Sequence, residues 1–286
     1  MLDLWELASI ATKFALYLGV LTAVGTFLTT LLFQITGYRR FTVGFALLGV
    51  AATVMGFSLS GAALTGDAGG MVDVEMLGLL WSTPVGTAVA LRLAGLGLLI
   101  VGLLLGRVGR ILSMIGGGLA LWSFVTVGHI PDRDSLLLSI ALLFHLIAIS
   151  IWIGVLKPLR SLSLDTSRLS DAVSIGHRFG KIAAVFVPLL ILAGVYMSYE
   201  LVGSLSSLVG TGYGQALIIK VLFVASLLSI AAANKLRFIP QMSRGDPAAA
   251  GHLSKSISIE WAVIVIVILT TAALTSVLTL PSSGLK

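Results

Sequence analysis

Two histidines raise the question of chemistry in this chain. His129 precedes a short polar loop, and His145 lies inside the apolar stretch from Asp134 to Lys157, where a polar side chain is expensive and ordinarily has a task. Met71 and Met76 flank Asp73 and Glu75 in the segment MVDVEM, and Met197 and Glu200 close another apolar run. Imidazole and thioether together suit copper, above all the cuprous ion, whereas carboxylates alone suit harder ions. The candidate metal ligands are His129, His145, Met71, Met76 and Met197. Each also has a plainer reading: methionines near a membrane surface mostly pack, and a histidine at a helix end commonly caps it. His177 and His252 lie in basic connections and read as solvated or lipid-facing.

The elements that must position these side chains follow from composition. Hydrophobic residues make up 57% of the 286 positions and charged residues 10%, far below the roughly 25% charged of a soluble domain. The chain reads as an all-α polytopic membrane protein, one transmembrane domain over residues 1–286. Eight apolar runs reach the ~20 residues that a helix needs to cross a bilayer: roughly 8–33, 42–63, 84–105, 110–128, 135–157, 180–202, 214–236 and 256–280. The first lacks a basic leader and a small-residue cleavage site, and Asp3 and Glu6 precede it, so it reads as a permanent helix. No cysteine is present, which excludes disulfides and thiolate metal sites. Gly116, Gly117 and Gly118 in the fourth run suit close helix packing in lipid. The longest connection, 158–179, mixes serine with charge and has room for a short interfacial helix.

Of the 18 Lys and Arg residues, thirteen fall in one set of connections, from Arg39 to Lys255, and only Arg133 and Lys286 in the opposite set. The excess of positive charge marks the cytoplasmic side, which places both termini outside. The net charge of +6 is then a topology signal with anionic lipid behind it, and gives no support for nucleic-acid binding.

Three cations remain inside the runs. Counted inward at about 1.5 Å per residue, Lys13, Arg92, His145 and Lys220 all fall about 10–15 Å below the outer surface, each on a helix that runs inward. A lipid-facing Lys or Arg there costs about 2.5–3.5 kcal/mol or more, so these side chains are expected to face the bundle interior. Three cations around one imidazole would fit an anionic or carbonyl-bearing ligand, or a gate. The alternative is that they snorkel, or pair with Glu6, Glu200 or helix-end carbonyls. Lys220 is expected to pair with Glu200, the nearest acid by chain order, or with a nearby carbonyl.

In order along the chain stand Gly128-His129, then His145, Leu146, Trp152 and Gly154, then Arg178-Phe179, then Tyr213, Gly214, Leu217 and Lys220. Ala233-Asn234, Pro240 and Glu260-Trp261 follow. This succession resembles the copper resistance protein D family (CopD/PcoD) from about Gly128 onward. The first half resembles it more loosely, through Lys13, Gly86 and Arg92. The resemblance implies a protein of the bacterial or archaeal cytoplasmic membrane that moves copper inward, often beside a periplasmic copper-binding partner of the CopC type. It carries His129 and His145 over as copper ligands. Two positions depart from the pattern: the histidine many relatives place in the first helix is absent near Phe14 to Tyr17, and the extra histidine before His145 is Leu142.

Two rival readings come from other classes. A bis-histidine haem needs axial ligands at one depth, whereas His129 is expected at the surface and His145 about 15 Å deeper. A non-transporting accessory or assembly subunit of a membrane copper or haem complex would also use Gly-rich helices for packing. The same helices are compatible with a homo-oligomer. The sequence offers no nucleophile–base pair and no phosphate loop, so a conventional hydrolytic enzyme is not expected.

Overall fold

The computed structural model describes residues 4–128, 133, 135–278 and 280, and among these it is helical with no strands. Its elements in order are α1 (Leu4–Phe33), α2 (Arg39–Thr65), α3 (Val74–Trp81), α4 (Pro84–Leu104), α5 (Gly106–Trp122) and α6 (Leu136–Ser163). They continue with α7 (Leu169–Val202), α8 (Leu205–Gly210), α9 (Gly212–Ala233), α10 (Ile239–Ser243) and α11 (Ala249–Ser276). A π-helical turn, Asn234–Phe238, joins α9 to α10.

Among the described residues, seven helices are long and apolar enough to cross a membrane: α1, α2, α4, α6, α7, α9 with its extension, and α11. The eight-run reading differs from this at α5. That helix has 17 residues and opens with Arg107 and Arg110, so it falls short of the other seven. It also ends at Trp122, not 128: beyond it the chain tightens into turns, with the amides of Phe124 and Val125 donating three residues back to the Leu121 and Trp122 carbonyls at 3.2 and 2.8 Å. At the other connections the helices outrun their apolar cores. Within residues 158–179, α6 continues to Ser163, a single 3-10 turn spans Thr166–Arg168, and α7 begins at Leu169. Between them Asp165 accepts from the amide and hydroxyl of Ser167, which holds its carboxyl below the usual range.

α1 is the hub of the bundle, with α2, α6 and α11 packed around it, while α4 pairs with α5 and α7 lies on α6. Small residues make the close approaches. A Cβ on Gly25 would overlap the Ser150 backbone of α6, and one on Gly154 would overlap Gly25. Gly19 meets Gly49 of α2 in the same way, and Gly95 and Gly102 of α4 meet Gly116 and Gly109 of α5. Of the three consecutive glycines, Gly116 and Gly117 serve contacts and Gly118 faces open space. Leu96, Leu99, Leu121, Ile153, Leu156, Leu253 and Ile257 fill the interior between these seams.

Candidate functional site

The four intramembrane groups fall into two pairs whose members lie within electrostatic range of each other. On the first side, Lys13 Nζ donates to the Thr275 carbonyl near the end of α11, and Tyr17, one turn further along α1, points its hydroxyl at Thr275 Oγ1, 3.4 Å away. Arg92 lies close enough to Lys13 to act on its charge. It is itself buried, with Nε donating to Ser123 Oγ at 2.9 Å. Its guanidinium carbon lies 4.8 Å from the centroid of the Phe124 ring, which stacks on Tyr17 at 5.1 Å. A cation over an aromatic face is partly neutralised by the ring quadrupole. Lys13 therefore has the helix-end carbonyl partner that was one of its two expected fates, and Arg92 is held by a hydroxyl and a ring.

The second pair is His145 and Lys220. The His145 imidazole lies within hydrogen-bonding reach of the Leu190 backbone and beside Gly194 of α7. Its Nδ1 is buried with no hydrogen-bond partner among the described residues. Lys220 of α9 lies within electrostatic range. The expected Lys220–Glu200 ion pair does not form: among the described residues the salt bridge is Arg168–Asp171, at the start of α7. Glu200 is the nearest acid by number, but its helix is packed on α6, so neighbours in sequence are not neighbours across the bundle.

The thioethers do not converge. Met71 and Met76 belong to the segment between α2 and α4, and Met197 to α7, which packs on α6. The acids around the two methionines have local work. Asp73 caps α3, accepting from the amides of Glu75 and Met76 at 2.9 and 3.2 Å, and Asp67 caps the short turn before it. These capping bonds satisfy orphan amides at the helix start. Among the described residues no group of three or more His, Asp or Glu side chains could hold a metal. His129 lies outside the described residues, as do Asp3, Asp132 and Asp134.

Several polar groups that the sequence reading passed over lie on α6 and its neighbours. Thr22, Thr26 and Thr29 share one face of α1, and Ser150 lies on α6 where Gly25 touches it. All four hydroxyls are buried without a partner among the described residues. A helical threonine ordinarily returns its hydroxyl to the carbonyl four residues back, as Thr53 does to Gly49 at 2.7 Å. The i, i+4, i+7 spacing of these threonines is visible in the sequence and was the available signal. On the other face of α6, a cavity of about 20 Å³, room for about one water, is lined by Ala148, Trp152, Phe186 and Leu190 among others. Its lining runs along α7 from Leu190, whose backbone faces His145, to Phe179, and includes Trp152 on α6. Trp152 in turn lies within hydrogen-bonding reach of Glu260 of α11, a carboxylate only 2% exposed. Asn234 Nδ2 donates to Glu260 Oε1 at 3.0 Å.

Arg178 has a structural role. It donates to the Leu32 carbonyl at 2.7 Å and lies 5.3 Å from the centroid of the Phe33 ring, tying α7 to the last turn of α1, where a cation is favoured by the orphan carbonyls.

Comparison with known proteins gives the chain its family. Residues 1–138 match the copper resistance protein D-like N-terminal domain, and residues 173–274 match copper resistance protein D. The first half, which resembled the family only loosely by motif, thus has a match of its own. Residues 139–172, with His145 and Trp152, lie between the two matched ranges. The chain is 30% identical over 135 residues to the copper transport protein CutJ of Bacillus subtilis (strain 168), a stretch covering 46% of this chain and 24% of that protein. The match thus spans about a quarter of that relative's length. No solved structure matches the chain. With family matches running through both halves of a bundle of membrane-crossing helices, the chain belongs to the copper resistance protein D family.

Proposed function

We propose that this protein imports copper across the cytoplasmic membrane, with α6 as the axis of the path. Copper arrives at the outer mouth, where His129 and the thioethers of Met71, Met76 and Met197 are the available soft ligands, and where a periplasmic CopC-like protein is the expected donor. The observation that carries the reading is His145: an imidazole held inside the bundle with Nδ1 unpartnered, at the head of a chain of contacts that leads inward. Lys220 beside it is a fixed positive charge on the path, suited to gating a cation. Thr22, Thr26, Thr29 and Ser150 add oxygen acceptors along the opposite face of α6.

Eight crossings with both termini outside complete the proposal. If α5 did not cross, Lys157 and Arg160 would lie on the opposite side from Arg107 and Arg110, against the thirteen-to-two division of Lys and Arg.

The test is copper accumulation in cells that express the parent chain, His129→Ala or His145→Ala, together with elemental analysis of each purified protein. Loss of accumulation and of bound copper in both variants is expected. Parental copper levels in both would make the histidines structural. Unchanged uptake on deletion, with a stable partner complex, would favour the accessory-subunit reading.

A further inference from the structure

We propose that Glu260 and Asn234 form an oxygen-lined site for a hard monovalent cation at the inner end of the bundle, and that loading of this site is coupled to copper movement. The coupling rests on the transport reading above; the site rests on its own geometry.

Glu260 stands five residues inside Lys255, on the interior face of α11, and is 2% exposed. Asn234 is 6% exposed. An ionised carboxylate can only accept hydrogen bonds, so the amide must turn its NH2 toward it, as the 3.0 Å bond from Nδ2 to Oε1 records. The carbonyl side of the same amide then has no donor: Asn234 Oδ1 is buried without a partner among the described residues. A carboxylate and an amide oxygen are thus buried together, and the salt bridge among the described residues lies elsewhere, at Arg168–Asp171. Buried charges are ordinarily paired. The groups facing the Glu260 carboxylate, the Asn234 amide and the Trp152 indole, are both neutral, so a positive charge is what the site lacks.

The chemistry of the donors selects the class. Two oxygens with no sulfur or imidazole suit a proton or Na⁺ and not the cuprous ion. The backbone is unusual at the same place, since Asn234 opens the π-helical turn Asn234–Phe238, and single π turns inside helices recur at functional sites. The surroundings place the site near the cytoplasmic rim. Lys235 and Arg237 follow in the π turn, Lys157 and Arg160 end α6, and His252 and Lys255 precede Glu260 on α11. Arg160 is engaged with Ser258, its Nε donating to Oγ at 3.0 Å. α10 and the inner end of α1 bring no titratable group. Loading with a proton forms one O–H bond on Glu260, which can then donate to Asn234 Oδ1 once the amide turns over. Loading with Na⁺ forms no covalent bond, and in neither case do electrons move.

The experiment uses the full chain in lipid nanodiscs without copper. Infrared difference spectra are recorded between about pH 4 and 9, a range that brackets carboxyl and imidazole titration, in sodium or choline chloride. A protonated-carboxyl band that appears on acidification and is lost in Glu260→Gln is expected. If Na⁺ is the ligand, the band appears at lower pH as Na⁺ is raised; if the proton alone is, sodium and choline give the same curve. Asn234→Asp covers the case in which Glu260→Gln fails to fold: a second carboxylate at the site should move the band to higher pH. A Glu260 that gives no titrating band and no sodium response in parent and Asn234→Asp protein overturns the site. In copper-loaded proteoliposomes, a parental dependence of flux on the cation gradient that persists in Glu260→Gln overturns the coupling. No flux from the parent itself removes the transport reading and the coupling, and leaves the cation site to the infrared result.

Discussion

Arg92 gives its Nε proton to Ser123 and its flat face to Phe124, two contacts that an ammonium cannot make together. Arg92→Lys is expected to lower stability by about 1–3 kcal/mol, seen as a lower midpoint of thermal unfolding in detergent; an unchanged midpoint would mean that neither contact matters. Lys220 has no ion pair among the described residues. Lys220→Met should therefore insert normally yet change copper accumulation several-fold, with Arg rescuing in part because its planar fork differs from an ammonium. Normal accumulation in Lys220→Met would leave the residue merely snorkelling. Depth counting alone put Lys13, Arg92, His145 and Lys220 at one level; Arg92 lies within electrostatic range of Lys13, and Lys220 of His145. The partners were not legible, because the Thr275 carbonyl is 262 positions from Lys13 and no periodicity encodes which helix lies beside which. The capping role of Asp73 was legible by residue type, since an acid just before a short apolar run is a favoured cap.

The long apolar helices were readable, since hydropathy reports burial in lipid, while the short helices α3, α8 and α10 and the helix ends were not. The backbone of a helix satisfies itself, so α6 and α7 continue past their apolar cores into polar sequence. α5 shows the converse: its glycines give it close contact with α4, and its length leaves it the shortest of the long helices. The glycine contacts make a paired prediction. Gly25→Ala should destabilise by about 1–3 kcal/mol, as overpacking does, because the new methyl overlaps the Ser150 backbone. Gly118→Ala, with nothing nearby, should be neutral or stabilise by up to about 1 kcal/mol through helix propensity. Equal midpoints for the two proteins would show that α1 and α6 can separate without cost.

Across the whole molecule, α7 and α9 bury little and present Val185, Leu192, Val195 and Leu222 outward, as helices that face lipid do. The division of charge between connections is the basis for the proposed orientation. Reporter fusions are expected to place 158–179 and 237–255 in the cytoplasm and both termini outside; a cytoplasmic N-terminal reporter would put the outer mouth on the wrong face. Fusions within 123–128 test the crossing of α5 directly, since they report outside only if that helix spans.

The bond from Lys13 to the Thr275 carbonyl also sets a timetable for biogenesis. α1 leaves the ribosome long before Thr275 is made, and its contacts with α6 and α11 must wait for those helices to insert. Until then its lysine and its threonine face are uncovered in the bilayer, a condition that membrane quality control can detect. The last turn of α11 is thus the closing stitch of the bundle. A chain stopped before Thr275 should be degraded faster in pulse-chase labelling than one stopped after it.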